Sequence, residues 1–406
     1  MRLLLLVVPF LAVAQDWPQF RGPSGQGHGT GTSLPVTWSE TESIRWKVPV
    51  QGRGWSSPSI LGNRIWLTTA INIPSGKYAR SLRAIAVDKA SGKQLVDAEV
   101  FQPGDAGEVH VKNSYASPTP VLEGDLVFVH YGKLGTACLR STGEIVWKTK
   151  FDYDHNHGTG GSPVLYKDLL IVACDGSDIQ YLAALDKRTG QIRWKRSRPK
   201  PAYMAFSTPL VIEAAGRTQL ISTGGHQTVS YDPETGKELW LVTYGDGFSN
   251  VPRPTFAHGL VYLFTGFYQP HVYAVRPDGS GDVTNSHVAW RYGRSVPLTP
   301  SPIIVGEEFY MVSDNGILSC LNAKTGQPIY QQRLGGNFSA SPIHADGRLY
   351  FPSEEGETHV IAPGPQFRRL AVNRVEGQTM ASIAVSGSDL FLRSASHLYR
   401  IGKTGN

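Results

Sequence analysis

The stretch "ALDKRTGQIRW", residues 184–194, is a complete copy of a pattern that recurs along the chain and decides its fold. In this copy Ala184 belongs to an apolar run, Asp186 and Gly190 lie at a turn, and Trp194 follows in the next segment. Asp and Gly favour turns, Gly because it reaches positive φ without steric cost. The stretch therefore predicts the end of one β-strand, a tight turn and the start of the next strand.

Copies of this pattern occur at regular places elsewhere. Nearly complete copies end at Trp147 and Trp240, and a copy interrupted by an insertion ends at Trp290. Val96 and Tyr330 replace the tryptophan in two others. We expect the small residue to lie where neighbouring units approach closely, and the tryptophan to dock between adjacent units and bury its ring.

A second pattern, Ser/Thr-Pro at the start of an apolar run, gives the period. Its successive intervals are 60, 45, 46, 45, 48, 40 and 41 residues. A period of forty-odd residues is typical of a β-propeller with one four-stranded blade per repeat. The sequence thus predicts an all-β, eight-bladed propeller. The copies begin at Ser57-Pro58, Ser117-Pro118, Ser162-Pro163, Thr208-Pro209, Arg253-Pro254, Ser301-Pro302, Ser341-Pro342 and Ser382-Ile383.

The ends of the chain predict how the ring closes. The last copy makes its turn without a tryptophan strand, whereas "ESIRWKVPV" (42–50) supplies one that includes Trp46. We expect this first strand to complete the last blade and so remove two open sheet edges. The predicted organisation is a signal peptide over 1–14, an extension over 15–41 pinned to the ring by its tryptophans, and a single propeller over 42–406.

Composition and charge exclude several classes of protein. The 406 residues are 40% hydrophobic and 18% charged, with 44 Gly and 27 Pro, which suits many short strands joined by turns. A net charge of +6 without a basic stripe argues against a nucleic-acid partner. No segment after the N-terminus is long and apolar enough to span a membrane.

The N-terminus predicts export. An apolar run follows Arg2 and ends in a small-x-small site, so we expect cleavage near Ala14 and a secreted or periplasmic protein. No cysteine follows the run, which argues against a lipid anchor. The three cysteines, Cys138, Cys174 and Cys320, lie in apolar segments far apart, so we expect buried free thiols. We also expect a monomer.

The repeated pattern resembles the pyrroloquinoline-quinone (PQQ) repeat of quinoprotein alcohol dehydrogenases. It equally resembles the propeller subunit of the outer-membrane protein assembly machinery, which holds no quinone. The stretches "DWPQFRGPSGQG" (16–27) and "KNSYASPTP" (112–120) are similar to secreted bacterial PQQ-like propellers. For a quinoprotein, the resemblance implies a vicinal Cys-Cys pair and a Trp around the quinone, with Glu, Asn and Asp ligands for Ca²⁺. This chain has no vicinal cysteines.

Loops that precede the Ser/Thr-Pro pattern are expected to gather around the channel mouth. These loops offer aromatic and amide side chains that could bind an extended peptide or a glycan by stacking and hydrogen bonding. Tyr203 and Phe248 are among the aromatic residues. The same aromatic residues could instead pack on neighbouring blades. The predicted binding rim consists of Arg53, Trp55, Asn113, Tyr115, Phe206, Asn250, Arg253, Asn337 and Phe338.

A local cluster, "DYDHNHG" (152–158), could bind a metal through His155 and His157. The sequence therefore leaves three functions open. The first, which we favour, is a non-enzymatic scaffold for a peptide, protein or glycan, with no cofactor. The second is a PQQ- and Ca²⁺-dependent oxidoreductase with an unusual site, and the third is a metal-dependent hydrolase or lyase.

Overall fold

In a computed structural model, residues 16–199 and 203–403 are described, and the predicted signal peptide lies outside them. The chain forms eight sheets that follow one another in sequence, as an eight-bladed propeller requires, and the four strands of each blade pair antiparallel. The predicted all-β fold is therefore confirmed. Helix is limited to one short 3-10 turn, Gly132–Leu134, within the described residues.

The first strand of the chain is β1, Ile44–Pro49, and the blades begin after it. Blades one and two contain β2 Ser59–Leu61, β3 Arg64–Asn72, β4 Arg80–Asp88, β5 Gln94–Phe101, β6 Val121–Glu123, β7 Leu126–His130, β8 Thr136–Arg140 and β9 Ile145–Thr149. Blades three and four contain β10 Val164–Tyr166, β11 Leu169–Asp175, β12 Gln180–Asp186, β13 Ile192–Ser197, β14 Leu210–Ala214, β15 Arg217–Gly224, β16 Gln227–Tyr231 and β17 Glu238–Thr243.

The second half of the ring repeats this arrangement, with one additional short strand, β21. Blades five and six contain β18 Thr255–Ala257, β19 Leu260–Phe264, β20 Val272–Val275, β22 Val288–Tyr292, β23 Ile303–Val305, β24 Glu308–Val312, β25 Ile317–Asn322 and β26 Pro328–Arg333, and β21 is Gly281–Asp282. Blades seven and eight contain β27 Ile343–Ala345, β28 Arg348–Pro352, β29 Glu357–Ala362, β30 Arg368–Arg374, β31 Ala384–Ser386, β32 Asp389–Arg393 and β33 His397–Ile401.

Strand β1 closes the ring. It pairs antiparallel with β33, so that the last blade has the order β1-β33-β32-β31. Its Trp46 donates an indole hydrogen bond to the Lys89 carbonyl of blade one at 3.1 Å. The predicted closure is confirmed, and two sheet edges that would otherwise be open are paired.

The tryptophan pattern acts as an inter-blade contact. Trp147 Nε1 donates to the Lys187 carbonyl of the next blade at 3.0 Å, and its ring lies under Gly190. A Cβ added to Gly190 would lie 2.6 Å from that ring. Asp186 Oδ1 accepts from the Thr189 N–H at 3.1 Å and so shapes the turn. The same indole bond to the next blade recurs at Trp194, with the Pro233 carbonyl, and at Trp290, with the Ala323 carbonyl.

Trp240 departs from this pattern because of the insertion in blade five. The insertion contains β21, which pairs parallel with β17 and adds a fifth strand to blade four. Trp240 is only 1% exposed, and its indole donates to Gln219 Oε1 at 2.7 Å instead of to a carbonyl of the next blade. The indole bond to the next blade therefore holds at four tryptophans, while the ring of Trp240 is buried against Val261 and Leu263 of blade five without that bond.

The structure corrects the repeat in blade two by two residues. Strand β6 follows Thr119-Pro120, as β2 follows Ser57-Pro58, so Thr119 and not Ser117 is the equivalent position. The sequence "SPTP" contains both pairs, and only strand pairing distinguishes them. Separately, the three cysteines are free and buried, as expected. Burial raises the pKa of the Cys138 and Cys320 thiols to about 12.

Candidate functional site

A cavity of about 570 Å³ lies where the first strands of the blades meet around the ring axis. Its walls include aromatic residues of several loops, and one wall carries His110, Lys112 and His157. None of the residues that line it in the described part of the chain is a carboxylate. A concave, mostly apolar pocket with a few convergent polar groups is the usual form of a ligand site.

One end of the cavity carries a series of hydroxyl side chains that encircles the axis with one interruption, which we call the hydroxyl ring. It takes one buried Ser or Thr from every blade except blade five, always from the position two residues before the first strand of the blade. Each of these hydroxyl oxygens accepts a backbone N–H from the equivalent residue of the preceding blade. The bonds run from Ser57 to Thr119 (3.0 Å), Thr119 to Ser162 (2.9 Å), Ser162 to Thr208 (2.9 Å), Arg253 to Ser301 (3.0 Å), Ser301 to Ser341 (3.0 Å), Ser341 to Ser382 (2.9 Å) and Ser382 to Ser57 (3.0 Å).

Blade five contributes Arg253 at the equivalent position, which interrupts the ring. Its guanidinium is buried and donates to the Pro209 carbonyl from Nε at 3.1 Å and from Nη2 at 2.8 Å. Nη1 donates to the Phe20 carbonyl at 2.8 Å. Burial lowers the pKa of Arg253 to about 9, so the side chain still carries its charge at neutral pH. Arg253 therefore ties blade four and the N-terminal extension together.

The N-terminal extension closes the cavity beyond the hydroxyl ring. The extension forms hydrogen bonds with the first strands of four blades. In each blade the bonded residue lies three positions after the residue of the hydroxyl ring or its equivalent: Ile60, Leu122, Phe256 and His344. Phe20 of this segment lines the cavity. Trp17 and Trp38 are buried, so the extension is pinned to the ring as its aromatic residues predicted.

The open end of the cavity carries a cluster of aromatic side chains, here called the aromatic patch: Tyr203, Phe248, Phe267 and Tyr268. Phe248 lies 4.9 Å from Tyr203, 5.9 Å from Phe267 and 5.5 Å from Tyr268, measured between ring centroids. Phe267 is 48% exposed and Tyr268 69% exposed. Tyr268 has φ +76°, a region that non-glycine residues adopt at an energetic cost.

The histidines are arranged differently from the predicted metal pair. His155 is buried, its Nε2 has no partner within the described ranges, and burial lowers its pKa to about 4. His157 lines the cavity beside His110, with ring centroids 5.3 Å apart. Phe206 packs against both predicted ligands, and its ring centroid lies 4.7 Å from that of His155 and 6.5 Å from that of His157. No group of three or more metal-ligating side chains lies together in residues 16–199 and 203–403.

Three residues of the predicted rim lie in the cavity wall: Trp55, Asn113 and Phe206. Asn113 Nδ2 donates to the His157 carbonyl at 2.8 Å, which joins the loops of blades two and three. Tyr115 lines a separate cavity of about 300 Å³, where its hydroxyl donates to the Gly107 carbonyl. Arg53 is exposed and stacks over Trp55 at 5.2 Å.

The remaining predicted rim residues do not face the cavity. Phe338 is fully buried in the core between blades six and seven, because its loop turns the ring inward. Asn250 is also buried and donates to the Phe264 carbonyl at 2.7 Å, and Arg253 lies beyond the hydroxyl ring. Asn337 is exposed on its loop, where its amide donates to Glu355 Oε1 at 2.9 Å.

Sequence reasoning missed two parts of the site. The Ser/Thr-Pro pattern marks the start of a strand, but nothing in it shows that the hydroxyls converge on the axis. Phe267 and Tyr268 lie in a loop inside blade five, away from the loops that were expected to form the rim. An unusual run of exposed aromatics, "TGFYQP" (265–270), was the only local signal.

The donors that the quinoprotein resemblance implies are not brought together. The three cysteines lie buried within β8, β11 and β25. Glu354 at the mouth is already bonded to Lys112 Nζ at 2.9 Å and to Ser339 Oγ at 2.6 Å. Calcium needs several converging oxygen ligands, including carboxylates. The described residues around the cavity therefore do not fit a PQQ–Ca²⁺ group.

The sequence matches the profile of a known family over most of its length. The family described as outer membrane protein assembly factor BamB matches residues 80–240 and 180–404. BamB of Legionella pneumophila is 24% identical over 204 residues, 48% of this chain and 50% of that protein. A tetrathionate hydrolase of Acidithiobacillus ferrooxidans is 26% identical over 329 residues, 75% of this chain and 58% of that protein. The chain thus spans half to three fifths of the length of these relatives.

Solved structures share the fold. BamB from Moraxella catarrhalis superposes with a TM-score of 0.63 and 13% identity, covering 89% of this chain and 98% of that chain. A europium-containing methanol dehydrogenase superposes with a TM-score of 0.70 and 10% identity, covering 94% of this chain and 90% of that chain. No helix in the described ranges is long and apolar enough to cross a membrane.

Proposed function

The chain belongs to the family of outer membrane protein assembly factor BamB, and on that premise we propose that it is a binding protein. Its ligand is an extended apolar segment of a partner protein, which lies across the mouth of the central cavity. The observation that carries this proposal is the aromatic patch. Phe267 and Tyr268 expose about half or more of their surface, although they lie among other aromatic rings that could have buried them.

The chemistry of the patch suits an apolar segment. Tyr and Phe supply large contact area with few rotatable bonds, and aromatic residues are enriched among the residues that dominate interface energetics. The backbone at Tyr268 is in the left-handed region, and such local strain is often kept at functional sites. The patch and the cavity are continuous, because Tyr203, Phe248 and Phe267 line both. A bound segment can therefore extend from the patch towards the axis.

A peptide fits the mouth better than a glycan does. Glycan sites combine aromatic rings with several polar side chains that hydrogen-bond to the hydroxyls of the sugar. Beside the patch, Asn250 already donates to a backbone carbonyl, and no carboxylate lines the cavity within the described residues. The BamB name of the family also concerns the assembly of proteins. We infer export to the periplasm or beyond from the predicted signal peptide.

The alternative function as a quinoprotein oxidoreductase has weaker support, because the ligand set for PQQ and Ca²⁺ is not assembled. It is tested by adding PQQ and Ca²⁺ to the purified protein and measuring quinone retention after gel filtration, together with dye reduction by alcohols. Retention at one quinone per chain would replace the scaffold proposal. We expect no retention.

The scaffold proposal is tested by selecting peptides from a random display library on the purified protein. We expect enrichment of peptides rich in apolar residues, which bind about ten-fold or more weakly to the double variant Phe267→Ala/Tyr268→Ala. The matched control is Ile192→Ala, which removes a side chain 49% exposed on the outer strand β13. Selected peptides that bind the double variant as well as the wild type would contradict the proposal.

A further inference from the structure

The hydroxyl ring has a donor capacity that the described protein does not use. Each of its seven hydroxyl oxygens accepts one backbone N–H, as given above. A Ser or Thr hydroxyl also has one O–H to donate. None of the seven donates to any residue within 16–199 or 203–403, although all seven are buried and line the cavity. The closed end of the cavity therefore presents seven hydroxyl donors that are available to an acceptor in the cavity.

Three buried positive charges lie beside residues of the hydroxyl ring. Arg21, Arg253 and Arg393 are each 1% exposed, and each bonds to a backbone carbonyl of a residue next to the ring: Pro302, Pro209 and Ser56, respectively. Burial lowers the pKa of each guanidinium to about 9, so all three are charged at neutral pH. No carboxylate of the described chain forms an ion pair with any of them. Buried charges without a partner are costly, so this arrangement favours an anion nearby.

Further donors near the ring also lack partners. Arg21 Nε and Nη1, and Arg393 Nε and Nη2, have no acceptor in the described residues. Trp55 is nine-tenths buried and lines the cavity, and its indole N–H likewise has no partner there. These groups all donate. A neutral polyol would call for acceptors as well as donors, whereas an anion needs donors alone.

We propose that the hydroxyl ring is a binding site for a single oxyanion group, such as a carboxylate, sulfonate, sulfate or phosphate. The oxygens of the anion would accept from ring hydroxyls, and the three buried arginines would provide the favourable field. The rest of the ligand would extend along the aromatic wall towards the mouth. This site is distinct from the aromatic patch, and it stands or falls independently of the proposed partner segment.

The first test uses inorganic sulfate and phosphate as probes. Each anion is titrated into the purified protein in a calorimeter. Sodium chloride at equal ionic strength is the control titrant. We expect saturable binding of at least one of the two oxyanions, and a rise in the unfolding temperature that follows its concentration. Absence of saturable binding for both probes and for acetate would overturn the proposal, as would equal stabilisation by glycerol or glucose.

Substitutions in the hydroxyl ring test whether the anion binds there. Thr119→Val removes one ring hydroxyl without a change of shape, and Ser162→Ala removes its neighbour. Each should weaken sulfate binding by about ten-fold, because a lost hydrogen bond to a charged group has that effect on affinity. Thr119→Ser keeps the hydroxyl and should bind as the wild type does. Ser59→Ala is the matched control for lost packing between blades, since its hydroxyl donates to the Pro120 carbonyl at 2.7 Å and not into the cavity.

If the ring variants fail to fold, diffraction from wild-type crystals soaked in selenate shows whether an oxyanion binds at the hydroxyl ring. Anomalous scattering from selenium within hydrogen-bond distance of ring hydroxyls would support the site, and selenium elsewhere only would refute it. A short peptide with a free C-terminal carboxylate, compared with its amide, distinguishes a peptide terminus from a small-molecule anion as the source. Phe267→Ala/Tyr268→Ala should retain sulfate binding, which separates this test from that of the partner segment.

Discussion

At the scale of single residues, the mouth of the cavity is held in a conformation that stability alone would not select. Tyr268 combines φ +76° with 69% exposure, and His226 and Ser249 in the adjoining loops also have positive φ. A bulky residue in the left-handed region costs about 1–2 kcal/mol relative to its usual conformations. The exposed ring recovers little of this cost by burial. The strain is thus consistent with the proposed role of Tyr268 in binding.

We predict that Tyr268→Gly stabilises the free protein, because glycine adopts this φ without steric cost. Relief of about 1–2 kcal/mol of strain is partly offset by about 0.5–1 kcal/mol from the greater freedom of glycine in the unfolded chain. The net gain in the free energy of unfolding, measured by urea denaturation, should therefore be about 0.5–1 kcal/mol. The same variant should lose affinity for peptides selected on the wild type. Tyr268→Phe keeps both the strain and the ring, so its stability and binding should stay near those of the wild type. A destabilised Tyr268→Gly protein would show that the ring supports the loop.

At the scale of elements, the contact between one blade and the next depends on a tryptophan beneath a glycine. Gly190 has φ +74°, and its Cα lies directly over the Trp147 ring of the preceding blade. The same contact recurs between Gly92 and Trp46, where it joins the last blade to the first. Because each contact joins only neighbouring blades, the ring is stabilised by a sum of nearest-neighbour interfaces.

We predict that Gly190→Ala destabilises the protein by about 3 kcal/mol, from strain at positive φ together with overlap with the indole ring. The matched control is Gly216→Ala. That glycine has a similar φ of +72°, but an added Cβ would meet no atom within 4 Å. The control should cost only about 1 kcal/mol in unfolding free energy. Equal losses in the two variants would mean that the tryptophan contact contributes nothing at this interface.

At the scale of the whole molecule, buried neutral histidines make stability depend on pH. His130 lies in blade two, His155 in the loop before blade three and His359 in blade seven, and burial lowers the pKa of each to about 4. In the unfolded chain each would titrate near pH 6.5. Their contribution to stability is therefore complete above pH 6.5 and is lost as the pH falls towards 4. At pH 5 the loss is about 2 kcal/mol for each fully buried histidine.

We predict that His359→Leu reduces the change in unfolding free energy between pH 7 and pH 5 by about 2 kcal/mol. Both ring nitrogens of His359 lack a hydrogen-bond partner in the described chain, so leucine removes a titrating group without breaking a bond. The measurement is guanidinium unfolding of wild type and variant at the two pH values. If the unfolding free energy of His359→Leu changed between pH 7 and pH 5 as much as that of the wild type, this histidine would not titrate as described.

The propeller itself was predictable from the sequence, because its physical causes are local. A turn such as Asp186–Gly190 is specified by residues within it, and a repeated turn and tryptophan specify repeated blades. The closing strand was predictable for the same reason, since Trp46 marks the one blade strand found at the other end of the chain. The burial of the cysteines followed from their apolar neighbours.

Most of the site was decided by the tertiary structure. Ser57 and Ser382 are 325 residues apart, yet the N–H of one bonds to the hydroxyl of the other, because ring closure brings blade eight next to blade one. Phe338 and Trp55 occupy similar places in the sequence repeat, but the path of each loop buries one and places the other in the cavity wall. The sequence by itself determined the blades, which depend on neighbours along the chain. Only the closed ring determined which side chains converge on its axis, because that convergence depends on the relative placement of all eight blades.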